Sequence, residues 1–327
     1  MKKRFELPIE PPQFICYNHI TCANAIIRAN IFDNIDKLFC SKYINCYFKE
    51  SSTKHKFIIS IYDNWCTTQK VMQYQLINLS KDIFLSENIN VVLMIKKCLL
   101  FGSYVFGQCS YNCLVGNGGV DYSLFNYVIT GYDDIAHEFT MYGVDNLDNY
   151  LCHKIGYEDF INSLYSTNKQ NISFSMWRHN KNAEVVIDLQ NIIFELEDYI
   201  NSENRRKHYV EDKIYGLASL KKLGEFFLEC AKNKESLSEQ YLRKIAIHKY
   251  YMKERIRYFV ERKLIKKDWL SYSELVEVYG QQILDLGIKY NQIFDTTIVD
   301  ELTTIIFGII DIEQNYLTKV LYELKDK

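Results

Sequence analysis

Cys16 follows the Pro11-Pro12 pair and opens a segment in which Ile20, Ala23 and Ile27 recur at helical spacing. A thiol at a helix N-terminus meets unpaired N–H groups and the positive end of the helix dipole, and both favour thiolate. Those are the conditions for a cysteine nucleophile in acyl transfer; the bland alternative is a small buried thiol at a helix start. Such chemistry asks for a base and a group to orient it. A histidine at the start of one strand, faced by Asp or Asn on the next, supplies both. Residues 126–132 read as a strand, 133–136 as a turn and 138–142 as a returning strand. With the turn centred between Ile135 and Ala136, facing residue numbers sum to 271, which sets Asn126 opposite Asp145. Asp145 stands in the orienting place, but the base position holds Asn126, which cannot take up and return a proton at neutral pH.

Three histidines are substitute bases. His19 lies three residues beyond Cys16 and so on the same helix face. His137 is near the hairpin tip, about 20 Å along the strand from Asp145 at a rise of about 3.3 Å per residue. His153 lies on the strand expected next. Gln13, three residues before Cys16, has an amide able to donate to a developing oxyanion alongside the Cys16 N–H.

These residues must be positioned by two differently built regions. Residues 1–180 alternate helices and short strand-like runs. Expected helices are 16–29 and 89–100; expected strands include 57–62, 103–106, 150–154 and 172–177, with a short helix from 156. Residues 181–327 read as helix after helix, near 188–200, 213–231, 238–264, 272–293 and 299–324. Tyr241, Ile245, Met252, Ile256 and Phe259 form an apolar stripe on the third of these, the mark of a helix seam. The expectation is an α/β (α+β) domain over 1–180 with an all-helical domain over 181–327 packed on it.

Composition closes off other classes. The chain of 327 residues has 48% hydrophobic and 24% charged residues, enough for packed cores. A net charge of −2 gives no global field toward nucleic acid or membrane. Aromatic residues reach 15% without an interleaved basic stripe, so base stacking is not expected. No apolar run approaches the roughly 18 residues of a membrane span, and the start lacks the apolar stretch of a secretory signal. A cytoplasmic protein is expected. Its ten cysteines include no CxxC pair, which argues against a disulfide framework or a zinc site. The Gly116–Gly119 loop lacks the Lys-Ser/Thr ending of a phosphate loop, so neither a nucleotide nor any other cofactor or metal is expected. Residues 201–270 carry 18 Lys/Arg against 10 Asp/Glu, a net of +8, and 271–327 carry 4 against 10, a net of −6. Two solvated faces that neutralise each other explain this, as does a basic surface for an acidic partner.

Several segments resemble a known family: ICYNHITCANAII (15–27), SYVFGQCSY (103–111), NYVITGYDD (126–134), the stretch 138–145 and IGYEDF (155–160). They are similar to the butirosin biosynthesis protein H N-terminal family, itself similar to papain-like and bacteriocin-processing (C39-type) cysteine peptidases. RKIAIHKYYMKERIR (243–257) resembles the helical C-terminal region of related proteins in nonribosomal peptide gene clusters. The resemblance implies a papain-like fold and an acyltransferase that moves an acyl group from a carrier-protein thioester to a small amine in antibiotic or other natural-product biosynthesis. It implies Cys16 as nucleophile and Asp145 as orienter, and sets the family's histidine at Asn126. The partner it implies is an acyl or peptidyl carrier protein with a phosphopantetheine arm, matching the basic segment. The competing expectations are a non-catalytic relative that binds a carrier or peptide intermediate, and a cysteine peptidase with a rearranged dyad.

Overall fold

The structure, a computed structural model, describes residues 2–12, 18–30, 40, 44–49, 56–59, 71–87, 89–110, 124–144, 150–167, 170–182, 187–205 and 213–327. In chain order its elements are β1 (Arg4–Glu6), α1 (Asn18–Asn30), β2 (Cys46–Lys49), β3 (Lys56–Ile59), β4 (Met72–Ser80), α2 (Lys81–Ser86), α3 (Val91–Leu100), β5 (Ser103–Ser110), β6 (Leu124–Asp133), β7 (Glu138–Val144), β8 (Tyr150–Gly156), α4 (Tyr157–Tyr165), β9 (Asn171–His179), α5 (Leu189–Asn201), β10 (Lys213–Tyr215), α6 (Gly216–Lys232), α7 (Glu239–Glu261), α8 (Trp269–Ile293) and α9 (Thr296–Lys325). The mixed α/β class expected from the sequence is present as a large antiparallel sheet and a helical C-terminal region.

The chain divides into two units, Met1–Ile35 with Cys66–Glu184, and Asp36–Trp65 with Val185–Lys327. The expected boundary near residue 180 is therefore close, but one assignment is corrected. Residues 36–65 belong with the helices. The physical reason is pairing and burial: β2 pairs with β10 on one side and β3 on the other, and Ile44, Cys46 and Phe48 join the helical core.

The first unit is built on a sheet ordered β4-β9-β5-β6-β7-β8, every described pair antiparallel. One face is closed by α3 and α4. Asn90 caps α3 by accepting from the Leu93 N–H at 2.9 Å, and Gly102, at φ 76°, follows the helix end. Val91, Ile95 and Leu99 repeat every four residues and are buried against Tyr127, Ile129, Met141 and Phe174. Burial of each such side chain contributes roughly 1.5–3 kcal/mol. The strand expected over 57–62 is seen as β3, Lys56–Ile59; residues 60–62 lie outside the described residues.

The hairpin forms with its turn where expected: Asp133 faces Glu138, and the Asp133 carboxylate accepts from the Ile135 and Ala136 N–H groups. Facing numbers sum to 271 from Asp133↔Glu138 to Gly131↔Thr140, but Ile129 faces Met141 and Tyr127 faces Gly143. A bulge at Thr130 inserts one residue into β6. The predicted register is corrected accordingly, since its continuation aligns Asn126 with Val144 rather than Asp145. The bulge sits where β6 changes partners. β5 pairs with β6 as far as Ile129, then β1 takes the same side from Gly131 to Asp133, and the Leu7 N–H donates to the Thr130 carbonyl at 2.8 Å. Gly131 permits this, because a Cβ there would stand 2.8 Å from the Phe5 carbonyl oxygen.

In the second unit, Gly216 begins α6 at φ 57°, where a Cβ would lie 2.0 Å from the Tyr199 carbonyl oxygen, so only glycine admits the turn out of β10. α6 packs on α9, α7 on α8, and α8 on α9. Ile245, Met252, Ile256 and Phe259 of the predicted α7 stripe are buried in that core, with Tyr241 packed partly buried against it. Among the described residues, no helix is long and apolar enough to cross a membrane.

Candidate functional site

The sheet face opposite α3 and α4 carries α1. Cys22, Ala25, Ile26 and Ala29 of this helix are buried. At its C-terminal end, the Asn30 amide donates to the Tyr104 hydroxyl at 3.1 Å, and that hydroxyl donates to the Pro8 carbonyl. Toward its start, Cys22 is within electrostatic reach of Tyr150, which faces Val144 at the open end of the hairpin. Pairing fixes which side chains share this face: Tyr104 with Trp177, Phe106 with Val128, Val128 with Tyr142, and Gln108 with Asn126.

Asn126 is half-buried, and its Oδ1 accepts from Gln108 Nε2 at 2.7 Å. The acceptor end of its amide is therefore engaged, and what it has left to offer is its NH2 group. Beside this pair the β5–β9 ladder stops at Gly107↔Phe174, although β5 continues to Ser110 and β9 begins at Asn171. A cleft of about 200 Å³ occupies the gap, lined by Gln108, Leu164, Thr167, Ile172, Ser173 and Ser175 among others.

Of the residues singled out by the sequence, Gln13, Cys16 and Asp145 lie outside the described residues, and His19 is placed only as the second residue of α1. The five are therefore not seen together. His137 takes a left-handed φ of 55° in the hairpin turn, at the end remote from Asn126, and its ring meets Tyr157 edge-on. His153 faces Met141, on the α3–α4 side of the sheet and not on the side that carries Asn126. Four other thiols are poor rivals for a nucleophile. Burial pushes Cys22 and Cys46 up to about 12 and Cys230 to about 11, and raises Cys98. All four are protonated at neutral pH.

The Gly-Tyr-Asp-Asp run that carries the family resemblance acts in the structure as a lock. Gly131 admits β1, the Tyr132 hydroxyl donates to the Lys2 carbonyl, and Asp133 pairs with Arg4 at 2.8 Å while capping the turn. Asp134 Oδ1 receives Lys96 Nζ at 2.5 Å and the Tyr157 hydroxyl at 2.9 Å. Burial alone would raise the Asp134 carboxyl, but these bonds and the Lys96 and His137 charges hold it below the ordinary carboxylate range.

The helical unit holds a second polar centre that the sequence reading missed. Lys249 and Glu313 are fully buried and pair at 2.6 Å, and the Tyr199 hydroxyl donates to the same Glu313 oxygen at 2.6 Å. Lys249 Nζ also lies 2.9 Å from that hydroxyl. Among the described residues Glu313 Oε1 and His248 Nδ1 have no hydrogen-bond partner, while His248 Nε2 contacts the Ile44 carbonyl at 2.8 Å. Arg255 is also fully buried and donates to the Cys40 carbonyl at 2.7 Å. The signal for this centre was available: Lys249 falls between Ile245 and Met252 in the apolar stripe, and Glu313 between Ile309 and Tyr316. Part of the basic excess of 201–270 is thus internal. Among the described residues, no group of three or more His, Cys, Asp or Glu side chains could hold a metal ion. No protein-family model matches the chain, and no curated protein matches it.

Proposed function

We propose that the first unit is a papain-like acyltransferase domain. In this reading Cys16 accepts an acyl group from a carrier-protein thioester and passes it to an amine. The observation that carries the reading is the placement of α1. The helix that begins two residues after Cys16 lies on the sheet face that carries Asn126. A nucleophile leading into that helix would enter on the face where a papain-like site has its base and orienter.

The Cys16 thiolate attacks the thioester carbonyl. A new C–S bond forms to Cys16, the C–S bond to pantetheine breaks, and the departing thiolate takes up a proton. A neutral amine then attacks the acyl-cysteine. The C–N bond forms, the bond to Cys16 breaks with its electron pair leaving on sulfur, which restores the thiolate, and the proton lost by the amine replaces the one taken up by the pantetheine thiol. Thioesters are activated and thiolates are intrinsically nucleophilic, so neither step demands a strong base. Asn126, with its carbonyl held by Gln108, supplies no base and suits aminolysis better than hydrolysis by water. His19 remains the nearest substitute base in sequence, Asp145 the candidate orienter and Gln13 the candidate oxyanion donor. A cytoplasmic location belongs to the proposal; Cys22, Cys40 and Cys46 as free buried thiols suit a reducing compartment.

The same Asn126 geometry favours one second reading, a protein that binds a carrier or peptide intermediate without reacting. Incubation with an acyl-pantetheine thioester separates the two. A mass increase on Cys16, absent in Cys16→Ala, and amide product on adding an amine support the enzyme. A carrier complex unaffected by Cys16→Ala, with no adduct in the parent protein, supports the binder. Peptide cleavage without any thioester would instead identify a peptidase.

A further inference from the structure

The gap in the sheet has a use that the covalent chemistry does not require. β5 and β9 pair with each other only from Ser103↔Arg178 to Gly107↔Phe174. Beyond that point β9 keeps its other neighbour, with Asn171, Ile172 and Ser173 paired to Ser80, Leu79 and Asn78 of β4, but among the described residues it has no ladder partner on its β5 side. A strand edge that borders a cleft in the middle of a sheet is a template for main-chain pairing.

The lining selects the kind of chain. Gln108, Thr167, Ser173 and Ser175 are polar and uncharged, Leu164 and Ile172 are apolar and buried, and among the described residues no Lys, Arg, Asp, Glu or His lines the cleft. A neutral chain with alternating amide and methylene groups meets both classes of wall. The volume of about 200 Å³ has room for a short extended chain. Gln108 reaches both ways: it lines the cleft and its amide holds Asn126. Ser110, two positions along the same face of β5, is fully buried with a hydroxyl that has no hydrogen-bond partner among the described residues.

We propose that the cleft between β5 and β9 binds an extended, uncharged, amide-bearing chain, laid along the β9 edge and ending at the Gln108–Asn126 pair. Peptide segments and the pantetheine arm share this chemistry. The binding rests on the sheet and not on Cys16, so it stands or falls separately from the acyl-transfer reading.

The test is a methyl-labelled NMR titration of the full chain with three probes: reduced pantetheine, N-acetyl-glycyl-glycinamide and cysteamine. Pantetheine or the capped peptide is expected to shift the Ile172 and Leu164 methyls while Ile309 and Val320 of the helical core stay fixed; which of the two binds at lower concentration identifies the source. Cysteamine, which lacks amides, is expected to shift nothing. Cys16→Ala should bind as the parent does, and Ser175→Leu, which fills the cleft, should weaken binding at least tenfold. The proposal is overturned if neither amide probe moves Ile172 and Leu164, if cysteamine moves them equally, or if a folded Ser175→Leu binds unchanged. Should Ser175→Leu fail to fold, the titration of the parent protein decides alone.

Discussion

In the sheet unit the polar side chains near the cleft, Gln108, Asn126, Ser173 and Ser175, are neutral, and they sit where a ladder ends. The helical unit instead seals the full charges of Lys249 and Glu313 among apolar helices, bound to each other and to Tyr199 at no exposure. Neutral groups at a strand end lose little on exchanging water for a ligand, so such a place can open and refill. A buried ion pair recovers its desolvation cost only in one geometry, so it fixes how α5, α7 and α9 meet. On the proposed reading of the cleft, the contrast sets recognition in one unit against rigidity in the other.

The largest effect should come from breaking the ionic centre. Lys249→Met leaves Glu313 charged or forces it to protonate, and should destabilise the helical unit by about 3–5 kcal/mol. Lys249→Met with Glu313→Leu should recover most of that loss. Urea unfolding followed by circular dichroism measures both, and a double variant as unstable as the single would show that the pair is not the unit of stability. Next in size is Gly131→Ala in the sheet unit. The added methyl meets backbone, the Phe5 carbonyl oxygen at 2.8 Å, and should cost about 1–3 kcal/mol by pushing β1 away. Fast amide exchange in β1 with α7 unaffected is the expected readout.

The smallest effect concerns pH, and its sign differs between groups. Burial raises Glu195 to about 7, with Asp198 adding to the shift and Arg255 opposing it. A carboxyl raised by folding binds its proton more tightly in the native state, so its contribution falls as pH rises from about 4.5 to 7. His248 is pushed well below its ordinary range, first by burial and then by Lys249. A histidine kept neutral by folding stabilises above its unfolded pKa and loses that contribution as pH falls below about 6.5. The two oppose each other across pH 5–7. Glu195→Gln removes one arm, so the stability of the variant should climb more steeply with pH than that of the parent. Unfolding midpoints at pH 5, 6 and 7 test this, and parallel curves would refute it. Asp134 in the sheet unit, held low, should contribute down to the acid side of the usual carboxylate range and lose its effect only as pH falls through that lowered value.

What the sequence disclosed followed from local rules. Alternation and turn chemistry located the β6–β7 hairpin, and helical spacing located α3 and the α7 stripe. What it withheld depends on distant partners. β4 mixes Gln and Asn with Tyr and Leu, and becomes a strand because β9 lies alongside it. β2 and β10 are short pieces far apart in the chain that define each other. The bulge at Thr130 arises where β1 replaces β5, so no pattern within β6 announces it, and the one-residue shift moved the expected partner of Asn126. Lys249, Arg255 and Glu313 were counted as surface charge because their neutralising contacts come from other elements or from backbone carbonyls. Of the candidate site, the helix and the hairpin were legible; the cleft was not, because it is made by a ladder that stops.

The interleaving of the two units bears on biosynthesis. β2 leaves the ribosome early, yet its partner β10 and the α6 residues that shelter Cys46 emerge more than 150 residues later. Until then the nascent chain carries an uncovered apolar strand inside the span of a sheet that is already assembling. A fragment cut at the boundary after Glu184 would keep that strand permanently without β10 and the helical core, with β3 as its pairing neighbour. Splitting this protein at its apparent border is therefore a recipe for aggregation; the better fragment of the sheet unit would excise 36–65 and rejoin the chain across the gap.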